Sequence, residues 1–187
     1  MAAIELYLVR HGPVAPVPAS APACWPLTDG GRERVRRLAH EPRFSAWTHI
    51  VTSPEDKARQ TAAILAEHLG IPLHVDDRLR ELEMNAGFLP AEEFRRRVEA
   101  YLSGLPDPAF ERRTGAIARA LDAVHAHQGM GASAVVSHGR LLSLLVESLV
   151  PGVDAGKIWS RMAFPDWALV DVSRQALVRS FTGEPLA

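Results

Sequence analysis

The stretch Ile4-Glu5-Leu6-Tyr7-Leu8-Val9-Arg10-His11-Gly12 joins an apolar run to a cation, an imidazole and a glycine. Both faces of the run are largely apolar, which predicts a strand buried inside a sheet. Open α/β sheets bind ligands at the carboxyl ends of their strands, and Gly12 lets the backbone come close to such a ligand. The alternative is a strand that simply ends in solvent, because a motif of three residues recurs often by chance.

A second stretch repeats this pattern later in the chain. A run of small residues and valines, Ala132 to Ser137, leads into His138-Gly139 and then into the apolar segment Leu141 to Val150. A helix in that segment presents free N–H groups and the positive end of its dipole to an anion. Two such corners are far less expected by chance than one, so they favour a ligand site at the strand ends.

Composition limits the classes of protein that this chain can be. The 187 residues are 47% hydrophobic, enough for the core of one domain spanning 1–187. The net charge of −1 provides no general field for nucleic acid or an anionic membrane, so neither partner is expected. The sequence shows no apolar stretch of the roughly 20 residues that span a bilayer and no basic-then-apolar leader, which predicts a cytoplasmic protein.

Metal ligands are not evident. The single cysteine, Cys24, excludes an internal disulfide and offers no zinc spacing. His125 and His127 are two residues apart, so on a helix they point to different faces and are expected at the surface rather than on a shared metal.

The remaining segments predict alternating helices and strands, which is typical of an α/β fold. Five prolines make the segment Pro13 to Pro26 a loop, and Trp25 is expected to anchor it. The segment from Arg78 to Glu83 lacks periodicity and is expected to be a loop or an edge. The predicted helices are one capped by Thr28, one capped by Ser53 with Pro54 in its first turn, one that begins at Pro90 and one over Phe110 to Val124. The predicted strands are Thr48 to Thr52, Leu73 to Val75, Trp167 to Val172 and Ala176 to Phe181.

Over essentially its whole length, the chain resembles the histidine phosphatase superfamily, in the phosphoglycerate mutase-like branch (branch 1). The likeness rests on Arg10-His11-Gly12, Ser53-Pro54 through Gln60-Thr61-Ala62, Leu79-Arg80-Glu81 and Val135-Val136-Ser137-His138-Gly139. The resemblance implies a three-layer α/β/α sandwich with a mostly parallel central sheet. The motifs are weak individually, but their order and their placement after strands make the combination specific.

The resemblance also implies a chemistry. His11 is the nucleophile that forms a phosphohistidine, Arg10 clamps the phosphoryl oxygens, and Glu81 is the general acid. His138 is expected to be catalytic as well, and the residues expected at the substrate are Arg10, Lys57, His138, Gly12, Gly139 and Arg140. No metal and no cofactor is required, since protein cations offset the phosphoryl charge. Glu83 is the alternative acid, because residues two apart in an extended loop face the same side.

The chain departs from the family pattern at the phosphate pocket. Lys57 stands where the family usually has arginine, and it lacks the bidentate fork, a loss of about tenfold or more in rate. Arg59 lies about 200° around the helix from Lys57, which makes it a poor substitute. Pro13, Val14 and Val17 replace the usual polar residues. Arg140 is either an extra donor or a solvent-facing residue at a helix start.

Three functions are compatible with these residues. The first is a phosphatase acting on a small phosphorylated metabolite or a phosphoprotein. The second is a phosphomutase; family mutases are generally longer, and here the segment from Phe181 to Ala187 follows the last predicted strand closely. The third is a catalytically weakened domain that binds phosphorylated ligands or a protein partner. The chain is expected to be a monomer or a homodimer, with the aromatic residues Trp159, Phe164 and Trp167 either in the core or at an interface.

Overall fold

The computed structural model describes residues 4–17, 19–127 and 133–182. Within these residues the strands are β1 (Glu5–Arg10), β2 (His49–Thr52), β3 (Leu73–Val75), β4 (Ser133–Ser137), β5 (Asp166–Asp171) and β6 (Ala176–Arg179). They form one sheet in the order β3-β2-β4-β1-β5-β6. The first four strands in this order are parallel, and β5 and β6 complete the sheet as antiparallel strands.

Helices cover both faces of the sheet. They are α1 (Asp29–Leu38), α2 (Asp56–Leu69), α3 (Ala91–Leu102), α4 (Arg113–His127), α5 (Gly139–Leu149) and α6 (Ala155–Ser160). The buried apolar residues of α1 and α2 pack in one core, and those of α3 to α6 pack in another. The prediction of an α/β/α sandwich with a mostly parallel sheet is therefore confirmed.

Strand β1 separates the two cores, as its sequence predicts. Leu6 and Leu8 pack in the core that contains α3 to α6, and Tyr7 and Val9 pack in the core that contains α1 and α2. All four side chains are at most 3% exposed. Because side chains alternate between the faces of a strand, a sequence that is apolar at every position fits the middle of a sandwich.

Parallel pairing brings three strand ends to one edge of the sheet. Arg10 at the end of β1 is in register with Ser137 at the end of β4, and Thr52 at the end of β2 is in register with Val136. The next residues remain paired: His11 N donates to Ser137 O, and Ser53 N donates to Val136 O. The segments that leave these three strands therefore begin side by side.

Two helix starts differ from the sequence prediction. Helix α2 begins at Asp56 with Glu55 as its N-cap, so Ser53 and Pro54 precede it; Ser53 stays paired with β4, and its hydroxyl accepts a hydrogen bond from Glu55 N. Helix α4 begins at Arg113 rather than at Phe110, because Phe110 forms an antiparallel bridge with Met84.

Other predicted elements are present, with ends that shift by one or two residues. Thr28 caps α1 as predicted, since its hydroxyl accepts a hydrogen bond from Gly31 N. Ala132 and residues 183–187 lie outside the described residues. Across the part of the chain that is described, no helix combines the length and apolar character needed to cross a membrane.

Candidate active site

The end of β1 buries a guanidinium. Arg10 is 9% exposed, its Nη1 donates to Met162 O at 3.0 Å, and its Cζ lies 3.4 Å from the centre of the Phe164 ring. Its Nε is buried with no hydrogen-bond partner among the described residues. Burial lowers the pKa of Arg10 to about 10, so the side chain stays charged at neutral pH and offers Nε–H to an anion.

Gly139 makes room for this guanidinium. A Cβ on Gly139 would lie 3.0 Å from both Cζ and Nε of Arg10. Gly12 has a different neighbour: a Cβ there would lie 2.9 Å from Val35 Cγ2 on α1, and its N–H donates to the Thr61 hydroxyl at 3.0 Å. A side chain at position 12 would therefore collide with α1, and the expected approach of a ligand to the Gly12 backbone stays a prediction.

His11 is a buried imidazole with one nitrogen anchored. Its Nδ1 lies 2.7 Å from Gly12 O, which fixes the hydrogen on Nδ1 and leaves the lone pair on Nε2. Burial, with a smaller contribution from His138, lowers the pKa of His11 well below its usual value. The ring is therefore neutral at pH 7, and its centre lies 5.2 Å from that of His138 and 5.3 Å from that of Phe164.

His138, at the end of β4, is fully buried. Its Nε2 lies 2.7 Å from the Ser53 hydroxyl, while its Nδ1 is buried without a hydrogen-bond partner among the described residues. Burial lowers the pKa of His138 to about 3, so this imidazole too is neutral at pH 7. An unpaired buried nitrogen is costly, so we expect a water molecule or a ligand to bond to Nδ1.

Glu81 is held at the start of α5. Its Oε1 accepts from Leu82 N at 2.9 Å and from Leu141 N at 3.1 Å, and its Oε2 lies 3.2 Å from Arg140 Nε. Burial by itself raises the pKa of Glu81. The Arg140 guanidinium, His138 and the hydrogen bonds lower this pKa by more than burial raises it, so that it falls to about 2. The carboxylate is therefore ionised in the free protein.

The structure decides two alternatives that the sequence left open, the direction in which Glu83 faces and the exposure of Arg140. Glu83 does not face the same side: its side chain is 59% exposed and pairs with Arg80. Arg140 is not solvent-facing, since its side chain is 12% exposed and contacts Glu81. Arg140 Nε contacts Glu81 Oε2, and the role of Arg140 as a donor to the substrate stays a prediction.

Lys57 reaches the site but is paired with a carboxylate. It is 6% exposed, and its Nζ donates to Pro22 O at 2.8 Å and to Glu55 Oε2 at 2.5 Å. Glu55 Oε1 in turn accepts from Glu81 N at 2.7 Å and lies 3.5 Å from His138 Nε2. Arg59 is exposed and does not replace Lys57.

The sequence interpretation missed the place of Glu55 and Phe164. Glu55 appeared there only as one possible partner of Lys57, although an acidic residue two positions from the pocket lysine was the available signal. No sequence signal placed Phe164 on Arg10. The Pro13 to Pro26 loop supplies a backbone carbonyl to Lys57, and Trp25 anchors that loop by donating from Nε1 to Val17 O at 3.1 Å.

Histidines outside the site also differ from expectation. His125 is exposed as predicted, but His127 is half-buried, and its Nε2 lies 3.3 Å from Asp76 Oδ2. Its ring lies about 6 Å from those of His49 and His74. Within residues 4–17, 19–127 and 133–182, no group of three or more histidine, cysteine or acidic side chains is arranged to hold a metal ion.

A comparison with known protein families shows which superfamily the chain belongs to. The model of the histidine phosphatase superfamily (branch 1) matches residues 6–175. The chain belongs to this superfamily. A relative from Cronobacter sakazakii named "Probable phosphoglycerate mutase GpmB" is 30% identical over 168 residues, which cover 79% of this chain and 75% of that protein.

Solved structures share the fold of this chain. A mycobacterial glucosyl-3-phosphoglycerate phosphatase superposes with a TM-score of 0.77 at 20% identity, covering 96% of this chain and 99% of that one. Bacillus stearothermophilus YhfR gives a TM-score of 0.74 at 24% identity, with coverages of 98% and 99%. The alpha-ribazole phosphatase of Shigella flexneri gives 0.71 at 21% identity, with coverages of 97% and 96%. At these identities the likeness establishes the architecture of this chain and not its substrate.

Proposed function

We propose that this member of the histidine phosphatase superfamily hydrolyses phosphomonoesters through a phosphohistidine on His11. The observation that carries the proposal is the state of His11: a neutral ring, tied through Nδ1 to Gly12 O, with its Nε2 lone pair available beside Arg10 and His138. A neutral, oriented imidazole is the form that attacks phosphorus.

Two buried nitrogens are suited to hold the phosphoryl group. Arg10 Nε–H and His138 Nδ1 lack hydrogen-bond partners among the described residues. With the hydrogen of His138 on Nδ1, Nε2 accepts from the Ser53 hydroxyl and Nδ1 donates to a phosphoryl oxygen. Together with Lys57, these donors offset charge on the transferring group.

In the first step, a bond forms between His11 Nε2 and phosphorus while the bond from phosphorus to the ester oxygen breaks. Glu81 gives a proton to that oxygen, and the alcohol leaves. Although Glu81 is ionised in the free protein, the negative charge of a bound phosphoryl group favours its protonated form, which lets it take up a proton as substrate binds.

In the second step, water attacks the phosphohistidine and Glu81 accepts a proton from it. The bond from Nε2 to phosphorus breaks, orthophosphate leaves, and His11 returns to its neutral state. Arg10 and Lys57 supply the positive charge that divalent cations supply in many other phosphoryl transfers, so we propose that the reaction runs without a metal.

A small phosphorylated metabolite is the substrate class we favour, with a phosphoprotein as the alternative. Structures with this fold include phosphatases named for glucosyl-3-phosphoglycerate and alpha-ribazole. The named relative GpmB keeps a phosphomutase as a second candidate. The pairing of Lys57 with Glu55 favours a third, a weakened phospho-ligand-binding domain.

The test is an assay of p-nitrophenyl phosphate and candidate phosphometabolites in the presence of a chelator, with wild type, His11→Ala and Lys57→Arg. We expect chelator-resistant phosphate release and an acid-labile phosphoenzyme, both lost in His11→Ala. Transfer between substrate positions without net release indicates the mutase. Turnover that is absent from wild type and present in Lys57→Arg indicates the weakened domain.

A further inference from the structure

Glu55 contacts the site without having a part in the proposed reaction. Its carboxylate accepts hydrogen bonds from Lys57 Nζ and Glu81 N, and Oε1 lies 3.5 Å from His138 Nε2. Its side chain is only 11% exposed, as is typical of an acid with charged and polar partners. Glu55 therefore touches three of the residues that surround the proposed phosphoryl position.

This contact changes what Lys57 offers an anion. An ammonium group has three N–H donors, and in Lys57 one is used by Pro22 O and another by Glu55 Oε2. The carboxylate also offsets the charge of the lysine at close range, where the surroundings screen it weakly because both side chains are largely buried. A phosphoryl group therefore meets a lysine whose positive charge is partly offset.

We propose that Glu55 is a specificity-determining residue: a built-in anion that competes with the phosphoryl group for Lys57. It weakens binding of the phosphoryl group in orthophosphate and in phosphate esters alike, so contacts of the alcohol part supply a larger share of an ester's affinity. This inference rests on the proposed function, because it places the phosphoryl group beside Lys57. Its consequence is a site that releases its product readily and depends on the rest of the substrate for affinity.

The competing role is separable from a purely structural one. The Glu55 carboxylate also supports the loop that carries Glu81, through the hydrogen bond from Glu81 N. Glutamine keeps one oxygen that accepts this hydrogen bond, and its NH2 group replaces the oxygen that binds Lys57, so the substitution removes the charge together with the hydrogen bond to Lys57. Glu55→Gln therefore tests competition while preserving the support of Glu81.

The experiment measures binding of inorganic phosphate by calorimetry, which needs no turnover. Glu55→Gln is expected to bind phosphate about tenfold more tightly than wild type, because one nearby negative charge is gone. With p-nitrophenyl phosphate, KM is expected to fall by a larger factor than kcat changes. Asp56→Asn, which removes a charge from the first turn of α2, is the matched control and is expected to change phosphate binding by less than about twofold.

A double-mutant cycle with Lys57 covers the case in which Glu55→Gln fails to fold. Lys57→Gln leaves the Glu55 charge unpaired, so it is expected to bind phosphate much more weakly than wild type. Glu55→Gln combined with Lys57→Gln is expected to recover most of that loss. A double variant as weak as Lys57→Gln, or an Asp56→Asn effect equal to that of Glu55→Gln, overturns the proposal.

The two proposals fail in different ways. If wild type binds phosphate and Glu55→Gln binds it more tightly, but no phosphoenzyme forms, then the proposed hydrolysis is wrong and the competition stands. If wild type forms the phosphoenzyme and Glu55→Gln binds phosphate equally or more weakly, then the competition is wrong and the hydrolysis stands.

Discussion

The chain leaves its sheet through a histidine and a glycine at two places, at His11-Gly12 after β1 and at His138-Gly139 after β4. The two corners are alike in sequence but differ in their contacts. At the first, the backbone of Gly12 holds the histidine through Nδ1. At the second, a side chain, the Ser53 hydroxyl, holds it through Nε2. The first corner therefore presents a lone pair on Nε2, and the second presents Nδ1.

The glycines of the two corners, Gly12 and Gly139, also differ in their contacts. Gly12 lacks a side chain because α1 packs against it, whereas Gly139 lacks one because the Arg10 guanidinium lies there. One glycine serves the packing of the fold, and the other serves the position of a charged group. A repeated motif thus marks two strand ends without giving them the same role.

The largest expected effect separates the two histidines. We expect His11→Ala to lower kcat by about 10⁴-fold, because the nucleophile is removed. His138→Ala is expected to lower kcat by about 10²- to 10³-fold, because it removes one donor to the transferring group. Phosphoenzyme trapping checks the distinction: His138→Ala still forms an acid-labile phosphoenzyme slowly and His11→Ala forms none. A phosphoenzyme in His11→Ala would reverse the assignment.

A smaller effect separates the two glycines. Gly12→Ala is expected to lower the free energy of unfolding by about 1 to 3 kcal/mol, because its Cβ overlaps Val35. Gly139→Ala is expected to lower kcat/KM by about tenfold through displacement of Arg10, with little loss of stability. Urea unfolding and steady-state kinetics on both variants give the comparison. Equal losses of stability would show that Gly139 too is a packing residue.

The smallest expected effect is the pH dependence of the free energy of unfolding, to which the histidines of both corners contribute. His11 and His138 have lowered pKa values in the folded protein, so below about pH 6.5 the unfolded chain takes up protons that the folded one does not. The free energy of unfolding is therefore greatest above this pH and falls as the pH drops, by up to about 1.4 kcal/mol per pH unit for each such histidine.

Urea unfolding at several pH values between 4.5 and 7.5 measures this slope. His138→Gln is expected to flatten it, because that variant has no proton to take up at the second corner. His125→Gln, at an exposed position of α4, is the matched control. A slope that is the same in wild type and in His138→Gln would contradict the buried, neutral state of His138.

Sequence patterns anticipated the elements because burial and capping act locally. The apolar alternation in β1 and the Thr28 cap of α1 leave direct marks in the chain. Helix starts were less accurate, since tertiary partners compete for the first residues. Ser53 remains bound to β4, and Phe110 is bound by Met84, so α2 and α4 both begin later than their sequences indicate.

The sequence by itself determined the order of strands and helices, the family, and the strand ends that carry Arg10, His11 and His138. The elements and the strand ends follow from periodicity and from residue types, and the family follows from the resemblance of four motifs to those of known members. Only the tertiary structure decided that Glu81 rather than Glu83 faces the site, that Arg140 binds Glu81, and that Glu55 holds Lys57. Those outcomes depend on which side chains meet across distant segments, and packing and charge pairing settle that only once the sheet has brought its strand ends together.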